Sequence, residues 1–440
     1  MNAVDEIKSS MKNLIWFRNN LRIKDNHSLV EACKNNADVI AVYFFDPRLF
    51  QKNEFGFIRT GVYRSQFLIE TIKDLKVQLE KINIPLLVFF ERPEVSIPKV
   101  VVQYKIENIY LQKEWTRDEI SVNQSIQKQL DAIISWNESY DQFLFHPDDV
   151  PYDDFKKIPR VFTEFRKKCE KYAQVSSIIS EPEIVQENKF SLSIKDSASI
   201  PSLEELGHES FSKDEKTAFP FSGGASSGLK RIHQYIWESH NIANYKKTRN
   251  GLIGTAYSSK FSAWLANGSI SAKQVYWEVK KYEKEVQKNQ DTYWMIFELI
   301  WRDFFKYVSL KHGDSLFQID GILNNEYHWE ASEEKKEQWI SGKTKYAFVN
   351  ANMKEIAATG WMSNRGRQNV ASFWAKELQQ DWRIGASYFE SMLIDYDVHS
   401  NWGNWQYLAG VGNDPRDRKF NIERQAAVYD PDKEFVDLWL

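Results

Sequence analysis

The sequence predicts two domains of different class: an α/β domain built on a doubly wound parallel sheet over residues 1–135, and an all-helical domain over residues 217–440, joined by a connector over 136–216. The first third of the chain alternates short apolar runs with an amphipathic helical stretch. Strand signals fade after Phe219 and helical ones take over. Tryptophan is also unevenly placed, with Trp16, Trp115 and Trp136 before residue 217 and the other thirteen after it. At 440 residues the chain can support two or three domains with separate cores.

Taken in order, Asn13–Phe17, Val39–Phe45, Leu86–Phe90 and Asn108–Leu111 are rich in Val, Ile, Phe and Tyr and read as buried strands. Within this series, Arg59–Ile82 carries Leu68, Ile72, Leu75, Leu79 and Ile82 at spacings of four, three, four and three. That stripe predicts an amphipathic helix. Parallel sheets of this kind bind ligands beyond the carboxyl ends of their strands, near a switch in strand order, and Arg18 and Glu114 follow two such ends. From about Ser176 to Lys216 the sequence is rich in Ser, Glu and Lys, with Pro182 and Pro201, and reads as a linker. Beyond it, helices are expected over Gly228–His240, Ser271–Val286, Thr292–Leu310, Lys354–Thr359, Arg367–Leu378 and Gly385–Ile394. No internal repeat is visible.

Composition narrows the function. The formal net charge is −3, so contact with nucleic acid would need a local basic patch. Only Cys33 and Cys169 occur, which fits a reducing compartment. With neither an eighteen-residue apolar run nor a signal peptide, the expectation is a soluble, cytoplasmic protein. The eight histidines lack ligand spacing such as HExxH, so no metal site is expected. A GxSxG elbow and a Walker A loop are both missing, which disfavours esterase and nucleotide-triphosphatase chemistry.

The segment from Thr359 to Pro415 mixes Trp361, Trp374, Trp382, Trp402 and Trp405 with Asn364, Arg365, Arg367, Asp395 and Asp397. Buried indole N–H groups need partners and buried charges need pairing, so a packing core alone does not call for this mixture. A flat, conjugated, partly charged ligand does. Thr292–Leu310 is apolar nearly all round, hence buried, yet holds Glu298, Arg302 and Asp303. Glu298 and Arg302 are four apart and could form an intrahelical ion pair; the aromatic surroundings favour a ligand site instead. In Tyr257–Ser271, Ser258 or Ser259 could cap a short helix, and hydroxyls beside Lys260 at a helix start also suit a phosphate. With Tyr245, Lys246 and Arg249 just before, the segment is a candidate diphosphate site. Arg365 and Arg367 stand at the positive end of a helix, where basic residues are unfavourable unless they serve a purpose. Nearby arginines would hold Asp395 and Asp397 ionised.

Five motifs in order, WFRNNLRIKDN (Trp16–Asn26), FPFSGGASSGLKRIHQYIW (Phe219–Trp237), ELIWRDFF (Glu298–Phe305), TGWMSNRGRQNVASFW (Thr359–Trp374) and IDYDVHSNWGNWQYLAGVGNDPR (Ile394–Arg416), resemble those of the photolyase/cryptochrome flavoproteins, and within them the DASH cryptochromes. The resemblance runs from residue 12 to Leu440. It implies a photolyase-type α/β antenna domain, a long connector and a helical domain holding FAD in a U shape. Tyr245, Ser258, Ser259, Lys260, Phe261 and Ser262 would hold the diphosphate region. Arg302, Asn364, Arg367, Asp395 and Asp397 would surround the isoalloxazine and ribityl parts, with Asp395 paired to Arg367 and Glu298 at the cofactor's edge. Asn401 matches the residue facing flavin N5, where an amide suits a fully reduced flavin. Trp405, Trp382 and Trp329 match an electron-transfer triad.

The resemblance also implies a substrate, a cyclobutane pyrimidine dimer flipped out of DNA into a cavity above the flavin. Glu298 would hydrogen-bond the dimer, Asn364 would add a polar contact, Trp301 a stacking wall and Arg365 a DNA contact. Lys246, Lys247 and Arg249 would supply a phosphate-binding patch. Tyr407 stands where ordinary photolyases place a second cavity Trp, and Gln368 where they have Met. Both are typical of DASH proteins and make the cavity wider and more polar. Extrusion of a base costs least from single strands, so the expected activity is light-driven repair chiefly of single-stranded DNA by a deoxyribodipyrimidine photolyase acting as a monomer. Family members often carry a 5,10-methenyltetrahydrofolate antenna between the domains, with Glu114 as the candidate contact. The competing reading is a blue-light photoreceptor that binds DNA or protein and regulates expression. Asn401, and a sequence ending at EFVDLWL without a long tail, favour repair. A dark-acting flavin oxidoreductase is disfavoured by the lack of a GxGxxG fingerprint.

Overall fold

The computed structural model describes residues 10–190 and 199–440. Five strands, β1 (Lys12–Trp16), β2 (Asp38–Phe44), β3 (Leu86–Phe89), β4 (Asn108–Gln112) and β5 (Ser135–Ser139), form one sheet in the order β3-β2-β1-β4-β5. Every pairing is parallel, with Ile15 opposite Ala41 on one side and Tyr110 on the other. Helices cover both faces of such a sheet, so its central strands carry continuous apolar runs, and all seven residues of β2 are buried. The strands read from sequence coincide with β1 to β4 within a residue at either end. The polar sequence of β5, SWNES, lies at the exposed edge and carries no apolar run. It was therefore not legible, and the sheet continues to Ser139, past the boundary expected at residue 135.

The crossovers include α1 (His27–Ala32), α2 (Val62–Lys81), α3 (Pro93–Tyr104) and α4 (Arg117–Gln127). α2 buries Ile72, Leu75, Leu79 and, just past its end, Ile82 in the core of the α/β domain, the stripe that its spacing predicted, although Leu68 is only partly buried. Phe67 instead packs on Phe219 and Trp264 of the helical side. Strand order reverses between β1 and β4, so their carboxyl ends frame the crevice where doubly wound sheets bind ligands. Arg18 and Glu114 lie there.

The connector, which includes α5 (Phe162–Tyr172), packs along the domains it joins. Val185, Leu203 and Leu206 enter the core around β1 and β2, and the Asn188 amide donates to the carbonyls of Val39 and Asn83 at 2.8 Å each. Residues 191–198 of the expected linker lie outside the described residues. Asp303 accepts from the backbone N–H groups of Leu144, at 3.0 Å to each oxygen, and of Phe145 at 2.8 Å. Burial pushes its carboxyl up to about 6. Arg22, also buried, donates to the carbonyls of Gly268 and Asp141 at 2.9 and 2.8 Å. These charged groups stitch the α/β domain and connector to the helical domain.

The helical domain includes α6 (Ala225–His233), α7 (Ser262–Ala266), α8 (Ala272–Glu285), α9 (Gln290–His312), α10 (Ala347–Thr359), α11 (Asn364–Ser372), α12 (Trp382–Met392) and α13 (Val398–Ala409). Ser271 and Gln274 form a capping box at the start of α8, and Asn289 with Thr292 does the same for α9. α7 starts later than its hydroxyls suggested: Phe261 occupies the N-cap with no side-chain bond, and neither Ser258 nor Ser259 caps it. α13 was not anticipated, because Gly403 and two asparagines interrupt its apolar pattern. A Cβ on Gly403 would lie 2.4 Å from the Phe305 ring, so the glycine lets α13 pack closely on α9. No helix among the described residues is long and apolar enough to cross a membrane. No group of three or more His, Cys, Asp or Glu among them is placed to hold a metal.

Candidate functional site

α7, α9, α11 and α13 converge on a cavity of about 530 Å³ in the helical domain. Its floor is the segment before α7. Ser258, Ser259, Lys260, Phe261 and Ser262 all line it, with Tyr245 at one end. Lys260 has a left-handed backbone, φ +65°. Its ammonium lies 3.1 Å from the centroid of the Tyr257 ring and has no hydrogen-bond partner. Burial lowers its pKa well below the usual range, so Lys260 contributes less positive charge than its sequence position implied.

The opposite wall is charged. Ser363 caps α11 by accepting from Gly366 N at 3.0 Å, which sets Asn364, Arg365 and Arg367 on its first turn. Arg367 reaches Asp395 with one nitrogen at 2.9 Å from both carboxylate oxygens, and its Nε donates to Met362 O at 2.9 Å. Ser262 Oγ donates to the same Asp395 at 2.7 Å, so the expected Arg367–Asp395 pair is made and is tied to the hydroxyl segment. Asp397 caps α13 through Ser400 N at 2.8 Å and accepts from Lys306 Nζ at 2.9 Å. Burial opposes its ionisation, but Lys306, with His399 and Arg302 behind it, holds the carboxyl far below the ordinary range.

Further out, Glu298, Trp301, Gln368 and Tyr407 line the same cavity. Glu298 pairs with Arg249 and not with Arg302. Burial lifts its carboxyl and Arg249 opposes the lift. Arg302 instead donates to the carbonyls of Gln142 and Leu265 at 2.6 and 3.0 Å. Trp301 stacks on Phe162 at 3.7 Å between centroids and meets Tyr407 edge-on at 6.1 Å. Sequence reasoning missed Arg418 and Asp414. Arg418 donates to the Tyr407 hydroxyl at 2.7 Å and to Asp414 at 3.2 Å, fixing the phenol that faces the cavity.

The proposed DNA contacts divide. Lys246 is half-buried, bonded to Gln290 at 2.9 Å and set over Trp294; Lys247 is exposed. Arg249 is occupied by Glu298, and Arg365 by Gln368 and Asn250 at 2.9 and 3.2 Å.

Asn401 and Trp405 line an adjoining pocket of about 90 Å³ that shares Arg367, Asp395 and Asp397 with the larger cavity. Asn401 donates to Ala386 O at 3.0 Å. The Trp405 ring lies against the first turn of α12, where a Cβ on Gly385 would be 2.2 Å from it, and Trp382 begins that turn. Trp329 sits beside Glu330, which bridges to Gln380 two residues before Trp382. The three indoles thus occupy neighbouring segments running outward from the pocket. Trp405 and Trp382 are buried, while Trp329 borders a second, larger cavity.

That second cavity, about 1330 Å³, lies between the domains at the strand-order switch. Gln112 and Glu114 line it from the end of β4, and Arg302, Lys306 and Asp397 from the helical side. Gln112 Nε2 donates to Glu114 Oε1 at 2.7 Å.

Residues 13–184 match the family model described as DNA photolyase, and residues 294–440 the one described as FAD binding domain of DNA photolyase. The chain is 45% identical to a cryptochrome DASH of Gloeobacter violaceus over 97% of its own length and 85% of the relative's. To the cryptochrome DASH of Xenopus laevis it is 41% identical, over 96% and 81%. The crystal structure of a Synechocystis cryptochrome superposes with a TM-score of 0.92 at 42% identity, covering 99% of this chain and 89% of that one. A class III photolyase of Agrobacterium tumefaciens, at 22% identity and a TM-score of 0.83 over 100% and 88%, shares the fold.

Proposed function

The chain belongs to the DASH cryptochromes of the photolyase/cryptochrome family, and from that premise we propose that it is a blue-light-driven lyase that repairs cyclobutane pyrimidine dimers, chiefly in single-stranded DNA. The observation that carries this is one cavity with two differently built ends: hydroxyls, Arg367–Asp395 and Lys306–Asp397 at its base, and Glu298, Trp301, Gln368 and Tyr407 towards its mouth.

The base fits FAD. Five consecutive residues with three hydroxyls and a left-handed turn suit a diphosphate, and fixed charge pairs suit the polar edge of an isoalloxazine. FAD held there would supply, when reduced and excited by blue light, the one-electron chemistry that opens the dimer with no net redox change. The remaining work falls to side chains. Glu298 would hold the carbonyl edge of the flipped bases, Trp301 and Tyr407 would face the ring planes, and Arg367 with Asp395 would fix the flavin's register. The polar Gln368 and Tyr407 grip an extruded dimer less tightly than apolar walls would. Substrates that need no extraction from a duplex are then preferred. Methenyltetrahydrofolate is proposed for the interdomain cavity, where Glu114 presents an acceptor to an amino-substituted ring.

The test is blue-light turnover of a defined thymine dimer in single-stranded and then duplex DNA. Repair is expected in the single strand and should be weaker in the duplex. No repair of either by flavin-loaded, reduced protein would overturn the lyase reading in favour of a photoreceptor. Trp405→Phe should remove most light-driven reduction of bound FAD, followed by absorbance under blue light with an external reductant. Unchanged reduction would take Trp405 out of the electron path.

A further inference from the structure

The two cavities meet at a partition one side chain thick. Arg302 and Asp397 line both. Lys306, one turn along α9 from Arg302, lines the interdomain side and donates to Asp397 Oδ2 at 2.9 Å, with only 4% of its side chain exposed. Glu114 enters the interdomain cavity from the α/β domain. Burial lifts its carboxyl, and the charges of Arg18 and then Lys306 oppose that lift. The same buried ammonium therefore acts on an acid of one domain and an acid of the other. In the repair reading Lys306 serves only to fix Asp397, and its reach towards Glu114 is unused there.

We propose that Lys306 is a positioning residue that couples the two sites, so that a ligand donating hydrogen bonds to Glu114 favours the reduced flavin in the neighbouring cavity. This rests on the reading that folate and FAD occupy the two cavities. Charges act strongly across a dry partition. While it faces two carboxylates, Lys306 neutralises neither completely. Hydrogen bonds from the ring amino group of a ligand would offset part of the Glu114 charge, so that the summed potential of Glu114, Lys306 and Asp397 becomes less negative. Less net negative charge then borders the flavin, which favours added electrons. The coupling is reciprocal: reduced protein must bind the interdomain ligand more tightly than oxidised protein by the same factor, roughly fivefold at the low end of allosteric couplings.

The experiment titrates the FAD-loaded full chain with 5,10-methenyltetrahydrofolate in the oxidised and in the fully reduced state. Roughly fivefold tighter binding to the reduced form is expected. Lys306→Met should bring that ratio close to one while folate still binds, and Lys306→Arg should keep it. A lost side chain of merely structural importance would weaken both affinities and leave their ratio unchanged. Equal affinities in the unaltered protein, or an unaltered ratio in Lys306→Met, would overturn the coupling alone. Folate that binds neither state overturns the antenna reading with it, whereas failure to load FAD, read separately from flavin absorbance, is failure of the cofactor reading.

Discussion

Glu298→Ala should lower light-driven repair of a thymine dimer in single-stranded DNA by about five- to a hundredfold while FAD stays bound, since a buried base carbonyl left without its donor costs about 1–3 kcal/mol. Glu298 stands on α9 at the mouth of the cavity, held by Arg249 and bordered by Trp301. Alanine there removes the carboxyl and leaves the charge pairs at the base intact. The pH dependence follows from the same environment. Burial raises the Glu298 pKa against the pull of Arg249, and the protonated carboxyl is the form that can donate to a base carbonyl. Repair should therefore decline as pH rises through that elevated pKa, and Glu298→Ala should lack this limb of the profile. Flavin lost together with activity would instead assign Glu298 to the cofactor or the fold.

Arg367→Ala should produce a protein that is largely free of flavin and melts earlier. Asp395 is 3% exposed at its side chain, and without the guanidinium only the Ser262 hydroxyl remains against it. Stranding one member of a buried pair costs about 3–5 kcal/mol. Divided between folding and binding, such a cost leaves FAD affinity at least roughly tenfold weaker. Flavin-to-protein absorbance ratio and thermal unfolding measure the two parts. Arg367→Lys should recover little, because the guanidinium serves Asp395 and Met362 O at once and an ammonium lacks that fork. A flavin-loaded Arg367→Ala protein with an unchanged melting temperature would remove the pair from cofactor binding.

Legibility in the sequence followed burial. β1 to β4 were readable because both faces of their sheet are covered and each carries an apolar run. β5 was not, since an edge strand can be polar. α2 announced itself by spacing and α9 by a nearly continuous apolar sequence. α13 hid behind Gly403 and its asparagines, and Asp397, read as a carboxylate held by nearby arginines, is a helix cap paired to Lys306. The cavity itself is assembled from residues far apart in sequence: Arg367 and Asp395 lie 28 residues apart, and Glu298 and Arg249 lie 49 apart. No spacing rule reaches across such distances: the Arg367–Asp395 pair was named from motif resemblance, and the Glu298–Arg249 pair was not anticipated. Lys306 had a signal that went unused. It is a charge within a helix apolar nearly all round, the same reason that Glu298, Arg302 and Asp303 stood out.

The close seat of Trp405 on Gly385 bears on how this protein can be improved. Replacing a mid-helix glycine by alanine ordinarily strengthens the helix by up to about 1 kcal/mol, and Gly385 would head any such set of candidates for thermostabilisation. Here the added methyl would occupy space held by the indole next to the flavin pocket. Screens that reward melting temperature alone would accept that substitution or reject it on packing grounds, and in neither case does electron supply register. With Trp405 proposed as the electron donor, directed evolution of this scaffold needs light-driven turnover in the selection, because helix stability and placement of that indole compete for the same space at Gly385.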